Sequence, residues 1–589
     1  MHSESQIAAA LQKYWGYDSF RPLQEKIVRS LLAGHDTCVI MPTGGGKSLC
    51  YQLPAALLAD RTVIVVSPLI ALMQDQVAQL TQMGIAAALL NSTIPAGEQR
   101  EIQREAIAGK YRLLYLSPER LAREDTIAWL KRVPVSFFAI DEAHCISEWG
   151  HEFRPDYRQM SALRKNFPER PIAAFTASAT QQVRHDIMNQ LALRQPDRYI
   201  ASFHRPNLRY FVRECSGQEQ PGLLVRALQT YRGSNVIVYS PTTNRVEETV
   251  ELLKEQGIKA IGYHGKMTTA ERTRNQERWM SDEIPVLVGT LAFGLGINKA
   301  GVRAVIHLAL PKSIEQFYQE AGRAGRDGLP ADCVLLWRKR DVGLLAHFIG
   351  QLSDQREVNR AWDRYNTIKR FVESANCRHR QICQHFGENP KWKTCDACDV
   401  CGSSIDWLKE ERTPLQKPKR RGKRKADVPA VAAGYSFTRG SRSATDKSWA
   451  AAAGSSAGAV DARRDGSESR WWGSAKKSGG GSTDQAAGNF DEPSRYRKGS
   501  GEPGADDVDP ELREYLREWR RVTSKEMKTA AFIVMHDSSL NELCRVRPKS
   551  LEELRRVSGF GERKTELYGP QILEALDRFK KGARASAET

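Results

Sequence analysis

Through residues 1 to about 340, short apolar runs rich in β-branched residues alternate with longer stretches of helical periodicity. Thr62–Val66, Phe137–Ile140, Asn235–Tyr239, Val286–Val288 and Ala304–His307 are such runs. Runs of this length bounded by turn residues fit strands buried in a parallel sheet, and the segments between them fit crossover helices. The pattern predicts an α/β fold. No repeat of fixed period is visible. From about 341 to 404 the apolar runs stop. From 426 to 510 the chain contains no Leu, Ile or Met and is dominated by Ala, Gly, Ser and charges. Such a stretch cannot bury enough apolar surface to offset chain entropy, so disorder is expected there. Helical periodicity returns at 511, with Leu512, Leu516 and Trp519 on one face, then Leu540 with Leu543 and Leu551 with Leu554. This predicts a small all-helical domain.

Composition narrows the classes. Of 589 residues, 41% are hydrophobic and 27% charged, which excludes a wholly disordered chain, a collagen or a small disulfide-stapled module. No apolar run is long enough to span a bilayer, so no membrane partner is expected. Met1–Ile7 has no basic region leading into an apolar stretch, so no secretory leader is expected. The net charge is +18. Either the surface is simply well solvated, or the partner is a polyanion. Residues 417–425 read KPKRRGKRK, which suits a solvated basic tail, a nucleic-acid contact or a nuclear targeting signal.

The candidate chemistry lies at strand ends. Residues 37–48 read TCVIMPTGGGKS, a strand running into a glycine turn that opens a helix. Gly44, Gly45 and Gly46 allow backbone N–H groups to approach phosphate, Lys47 would reach the β- and γ-phosphates, and Ser48 would hold Mg²⁺. Met41 stands where the strict P-loop pattern has glycine. A second apolar strand ends in Asp141-Glu142-Ala143-His144. Asp141 would hold Mg²⁺ and Glu142 would activate water, so the two sites together indicate nucleoside triphosphate hydrolysis. Arg323 and Arg326, three apart and expected on one helical face, suit the charge of a transferring phosphoryl group. Five of the eleven cysteines lie between Cys377 and Cys401, and Cys395, Cys398 and Cys401 form CxxCxxC. That clustering indicates a structural zinc that needs a fourth ligand, for which Cys377, Cys383 and His385 are the candidates.

Several segments, in order, resemble the RecQ family of superfamily-two DNA helicases. They are YDSFRPLQ (17–24), MPTGGGKS (41–48), SPLIALMQDQV (67–77), LLYLSPERL (113–121), DEAHCISEWGHEFRPDY (141–157), FTASAT (175–180), SFHRPNL (202–208), GTLAFGLGINK (289–299) and YQEAGRAGRDG (318–328). The resemblance covers roughly 10–404. It implies two RecA-like lobes with ATP between them, and Mg²⁺ and Zn²⁺ as metals. It further implies that Tyr17, Arg21 and Gln24 contact adenine and that His144 couples the site to DNA. Trp149, Phe153 and Arg154 would lie in an aromatic-rich loop that senses single-stranded DNA, where aromatic rings beside arginine offer stacking worth about 1–3 kcal/mol per base. Arg323 and Arg326 would reach across from the second lobe. Residues 377–388, CRHRQICQHFGE, resemble the start of the family's zinc subdomain, which supports Cys377 as the fourth ligand. The C-terminal segment resembles the helical HRDC module.

The expected organisation is lobe one at 1–205, lobe two at 206–340, a zinc-binding subdomain at 341–404, a disordered linker at 405–510 and an HRDC-like domain at 511–581. The winged-helix domain that many relatives carry after the zinc has no counterpart in the apolar-poor linker. The expected function is ATP-dependent 3′–5′ DNA unwinding in recombination and repair. The rivals are a DNA-stimulated ATPase that remodels or anneals with little unwinding, an RNA helicase, or a nucleic-acid-binding scaffold. Partners would be single-stranded and tailed duplex DNA, with repair or replication proteins recruited through the linker. The compartment would be the cytoplasm, at the nucleoid, in a bacterium or the nucleus in a eukaryote. The turn Ser558-Gly559-Phe560-Gly561 followed by Lys564 would either bind phosphate or serve as a plain helix cap.

Overall fold

The computed structural model describes residues 2–91, 94–150, 152–290, 299–409, 508–527, 529 and 531–585. The expected linker, with Trp449, Trp471, Trp472 and the 417–425 basic run, therefore lies almost wholly outside the described residues. So does most of 289–299.

Two parallel sheets carry the fold. The first contains β1 (Thr37–Ile40), β2 (Thr62–Val66), β3 (Ala87–Leu90), β4 (Leu113–Leu116), β5 (Val135–Ile140), β6 (Ile172–Thr176) and β7 (Asp197–Ile200), in the order β3-β4-β2-β5-β6-β1-β7. The second contains β8 (Leu208–Glu214), β9 (Asn235–Tyr239), β10 (Ala260–Tyr263), β11 (Val286–Gly289), β12 (Val302–His307) and β13 (Ala331–Trp337), in the order β10-β11-β9-β12-β13-β8. The central strands are buried on both faces, which explains why they read as continuous apolar runs rather than as alternation. On β2, Val63 and Val65 pack with the helices Glu4–Trp15, Gln24–Leu32 and Lys47–Leu57, whereas Ile64 and Val66 face the opposite layer. That opposite layer is one apolar cluster. It runs through both sheets and takes in Phe371, Ile382 and Cys383 beyond them.

The expected strands recur with the predicted type and nearly the predicted bounds. The expected arginine face does not form. Arg323 and Arg326 do not share a helical face, because the helix Ile314–Ala321 ends before them. Gly325 adopts the left-handed region at φ 54°, its N–H donates to Val302 O, and its carbonyl accepts from Asn207 Nδ2 at 2.8 Å. The arginines therefore sit in consecutive turns pinned to β12 and to the connector between the sheets.

Helices Gln355–Glu373 and Arg378–His385 follow the second sheet. At the C-terminus, helices Pro510–Glu526, Ala531–Val534, Asp537–Val546, Leu551–Arg555 and Glu562–Lys580 enclose a core that includes Leu512, Leu516, Leu540, Leu543, Leu554 and Tyr568. Leu551 departs from its expected pairing with Leu554 and is 43% exposed.

This helical domain touches both sheets' surroundings. A Cβ on Gly561 would lie 2.6 Å from Lys13 O, so the two backbones meet where only glycine fits. Tyr568 Oη donates to Gln82 Oε1 at 3.3 Å. On the other side, Arg520 pairs with Asp282 at 2.6 Å and with Asp537 at 2.7 Å, and Lys299 pairs with Asp282 at 2.7 Å. Among the described residues no helix is long and apolar enough to cross a membrane.

Candidate active site and metal centre

β1 and β5 flank β6 in parallel, so the glycine turn after β1 and the acidic pair after β5 emerge at the same end of the sheet. Gly44 and Gly46 both take φ 82°, which L side chains rarely adopt. Gln24 Nε2 donates to Gly45 O at 3.3 Å and Gly46 O at 3.1 Å, and Arg21 donates to Gly44 O. Two of the residues expected at adenine thus brace the glycine turn in this arrangement. Tyr17 is half-buried, packs against the same core, and burial raises its phenol above the usual value, with Arg21 opposing. Lys47 opens its helix, and its Nζ donates to Met41 O at 3.3 Å.

Asp141 is buried at the end of β5 and accepts from the Glu142 N–H at 3.0 Å. Burial, then repulsion from Glu142, lifts its carboxyl to about 7, against the pull of Lys47, the Glu142 N–H and His144. Glu142 adopts φ 48°, a left-handed kink at the strand end. His144 is fully buried, with Nδ1 2.9 Å from Thr176 Oγ1 and 3.3 Å from Glu142 Oε2. Burial disfavours its charged form, but Cys145, Glu142 and Glu152 outweigh this and hold its proton well above the usual range.

Arg326 reaches the site from the second lobe, with Arg323 beside it. A Cβ on Gly44 would lie 3.4 Å from Arg326 Cγ, so this arginine covers the glycine turn directly. Burial, then Arg323 and Arg205, push Arg326 down to about 9, with Tyr239 and Glu142 acting the other way. Three guanidiniums crowded beside a phosphate-sized turn suit an anionic ligand. Trp149 is 50% exposed, with the Arg360 guanidinium 5.6 Å from its ring centroid. Phe153 lies under Arg158 at 5.2 Å, and Arg154 Nη1 donates to Pro68 O at 3.3 Å. The aromatic-rich loop is thus joined to the Gln355–Glu373 helix rather than standing alone.

Residues outside the sequence-derived set also shape this site. Gln76 Nε2 donates to Ser48 Oγ at 2.9 Å, while its Oε1 accepts from Tyr51 Oη at 3.0 Å, Gln52 Nε2 at 3.0 Å and Tyr115 Oη at 2.8 Å. Its one trace in the sequence is its place on the stripe Met73, Gln76, Leu80 of its helix. Gln319 Nε2 donates to Ser178 Oγ at 2.8 Å, joining the segment after β6 to the helix that leads into Arg323. No periodicity marks that pair, because it links the two lobes.

The cysteine set is resolved by geometry. The sulfurs of Cys377, Cys395, Cys398 and Cys401 all lie within 4.8 Å of one another. Cys383 is buried and lies outside that set of four, and His385 Nε2 lies 2.7 Å from Glu315 Oε1. A hydrogen bond with Cys395, then the N–H groups of Arg378 and Cys401, draw Cys398 down to about 5 against burial, and burial raises Cys377 to about 11. Four thiol ligands with no open position fit a structural zinc. The loop is fixed to the second sheet: Tyr210 N–H donates to Ala397 O at 3.0 Å, and Arg378 pairs with Asp399 at 3.0 Å.

Comparisons with known proteins agree with this layout. The DEAD/DEAH box helicase family matches residues 21–186, and the helicase conserved C-terminal domain matches 219–328. RecQ zinc-binding matches 339–402 and the HRDC domain matches 509–576. The ATP-dependent DNA helicase RecQ of Haemophilus influenzae is 43% identical over 67% of this chain and 63% of its own length. That of Pasteurella multocida is 43% identical over 66% of this chain and 61% of its own. The Bacillus subtilis protein of the same name is 34% identical over 97% of this chain and 98% of its own. The chain spans somewhat under two thirds of the first two relatives and nearly all of the third. With four domain matches in this order and a relative aligned end to end, the chain belongs to the RecQ family of helicases.

Proposed function

We propose that this protein is an ATP-dependent DNA helicase that moves 3′–5′ along single-stranded DNA and unwinds duplexes in recombination and repair. The observation that supports this most directly is one site lined by the glycine turn and acidic pair of the first lobe and by Arg326 of the second. In this reading Lys47 leaves Met41 O to neutralise the β- and γ-phosphates. Ser48 and deprotonated Asp141 would hold Mg²⁺, which would supply charge neutralisation and orientation. Glu142 takes the proton of the attacking water. Arg323 and Arg326 offset the charge of the transferring phosphoryl group, a contribution of order 10³–10⁵ in rate for inserted arginines. Loss of the γ-phosphate removes the ligand both lobes share, and their separation and reclosure advance the strand. The contacts of His144 with Thr176 and of Ser178 with Gln319 give Glu142 a hydrogen-bonded line to the second lobe. Trp149 offers a stacking face to an unpaired base. The compartment follows the DNA, at the nucleoid or in the nucleus.

The test is turnover of Mg-ATP with and without single-stranded DNA, followed by strand displacement on 3′- and 5′-tailed duplexes. Lys47→Ala should abolish turnover while DNA binding persists. An unchanged rate would refute the site. A second reading, a remodelling or annealing ATPase with weak unwinding, draws on the lack of Leu, Ile and Met through 426–510, where a winged helix would need a core. Brisk DNA-stimulated turnover without strand displacement would favour it. Stronger stimulation by RNA than by DNA would favour an RNA helicase.

A further inference from the structure

The connector between the sheets, residues 201–207, runs from the end of β7 to the start of β8. It is tied down along its length. Ser202 Oγ donates to Glu388 Oε1 at 2.6 Å and the Phe203 N–H donates to Glu388 Oε2 at 2.8 Å. Asn207 Nδ2 donates to Gly325 O at 2.8 Å and Leu329 O at 3.0 Å. Between these anchors stands Arg205, half-buried, with a distinctive set of acceptors. Its Nη1 donates to Thr43 O in the glycine turn at 2.8 Å and reaches Gly322 O at 3.5 Å. Its Nη2 donates to Ala324 O at 3.3 Å and Gly325 O at 3.0 Å. Every acceptor is a main-chain carbonyl. One lies in the phosphate turn of the first lobe, and the others lie in the turns that carry Arg323 and Arg326.

We propose that Arg205 is a positioning residue that sets the Arg323–Arg326 turns against the Thr43–Gly44 peptide, and so controls the rate of ATP cleavage without touching ATP. The inference rests on the proposal that ATP is hydrolysed at this site. A guanidinium is suited to the task, because its planar fork holds several acceptors in fixed relative positions, whereas an ammonium is a single mobile point of charge. The spacing it governs is tight. A Cβ on Gly322 would lie 3.3 Å from Thr43 Cβ, and one on Gly44 would lie 3.4 Å from Arg326 Cγ. Rotation of the Thr43–Gly44 peptide on nucleotide binding or release therefore pulls on the same side chain that holds the turns of both arginines. With its Nη donors engaged by carbonyls, Arg205 would have to let one lobe go to turn them to phosphate.

The experiment compares the full-length wild type with Arg205→Lys and Arg205→Gln by steady-state ATPase with single-stranded DNA, by binding of a fluorescent non-hydrolysable ATP analogue, and by thermal melting. A misplacement of about 1 Å at a reacting centre costs roughly 10²-fold in rate. Both variants should lose kcat by roughly that factor. Affinity for the analogue should change less than about threefold, since the phosphate-contacting groups are intact. Arg205→Lys keeps the charge and the stem, so full activity in that variant would overturn the proposal. So would a loss of analogue affinity matching the loss of kcat, which would make Arg205 a ligand for the nucleotide. If Arg205→Gln does not fold, Arg205→Lys alone decides between these outcomes. Millimolar guanidinium restoring part of the kcat of a folded Arg205→Gln would add support, and a kcat fall only in step with the unfolded fraction would overturn it. A wild type inert towards Mg-ATP would instead defeat the hydrolysis reading, before any variant is compared.

Discussion

Asp141 carries a proton more readily than an ordinary carboxyl because it is buried beside Glu142. Its pKa, raised to about 7, has a definite sign for ligand binding. A metal-bound nucleotide needs the carboxylate, so below that pH binding must expel a proton, and affinity falls by at most about tenfold per pH unit. Affinity for Mg-ATP should therefore rise between pH 6 and 8, with net proton release visible as a buffer-dependent binding enthalpy in calorimetry. Asp141→Asn should remove the pH dependence. Gln76 gives a second expectation. Replacing it by Leu leaves the Tyr51 and Tyr115 hydroxyls without their shared acceptor and frees Ser48. Each stranded buried donor costs about 1–3 kcal/mol. A lower melting temperature together with weaker Mg-ATP binding checks this. Lys47, Ser48, Asp141 and Glu142 were legible because their spacing follows directly from strand ends. Gln76 was not, because a buried glutamine on an apolar stripe looks like an exception until its three donors are seen.

At the scale of elements, both-face burial made the strands readable, and the loss of Leu, Ile and Met after 425 was equally plain. The arginine turns were misread because local sequence alone suggests that a helix continues, whereas contacts from Val302 and Asn207 hold Gly325 out of helical geometry. CxxCxxC announced three metal ligands. The choice of Cys377 over Cys383 depended on which sulfur the start of the Arg378–His385 helix brings to the loop, and the Cys377 sulfur is the one that lies within 4.8 Å of the other three. Cys395→Ala should lower zinc content and unfold 377–401, because structural zinc contributes folding free energy directly. Zinc stoichiometry and proteolysis within that segment are the measurements. In the helical domain, Leu540 and Leu543 followed the period, while Leu551 lies in the first turn of a five-residue helix, too short for a periodic face to form.

At the scale of the whole molecule, no local pattern revealed that the C-terminal domain rests on both lobes, because its contacts join residues hundreds of positions apart. Asp282 is central to this arrangement. Although burial alone would raise its carboxyl, Lys299, Arg520 and Arg517 hold it far below the usual range. Because the folded value is depressed, its stabilisation is complete above an ordinary carboxyl pKa of about 4 and is lost in acid. Removing one member of a buried pair costs about 3–5 kcal/mol. Asp282→Asn should therefore let limited proteolysis detach the 508–585 domain at neutral pH, where the wild type resists, and the wild type should match the variant only at low pH. The bonds from Glu388 to Ser202 and Phe203 carry a different implication. Glu388 lies three residues beyond the Arg378–His385 helix that Cys377 caps, and its carboxylate holds the connector between the two sheets. A zinc-selective chelator given with ample magnesium should then behave as a slow, non-competitive poison of ATP turnover, disabling the engine from its bearing rather than from its fuel inlet.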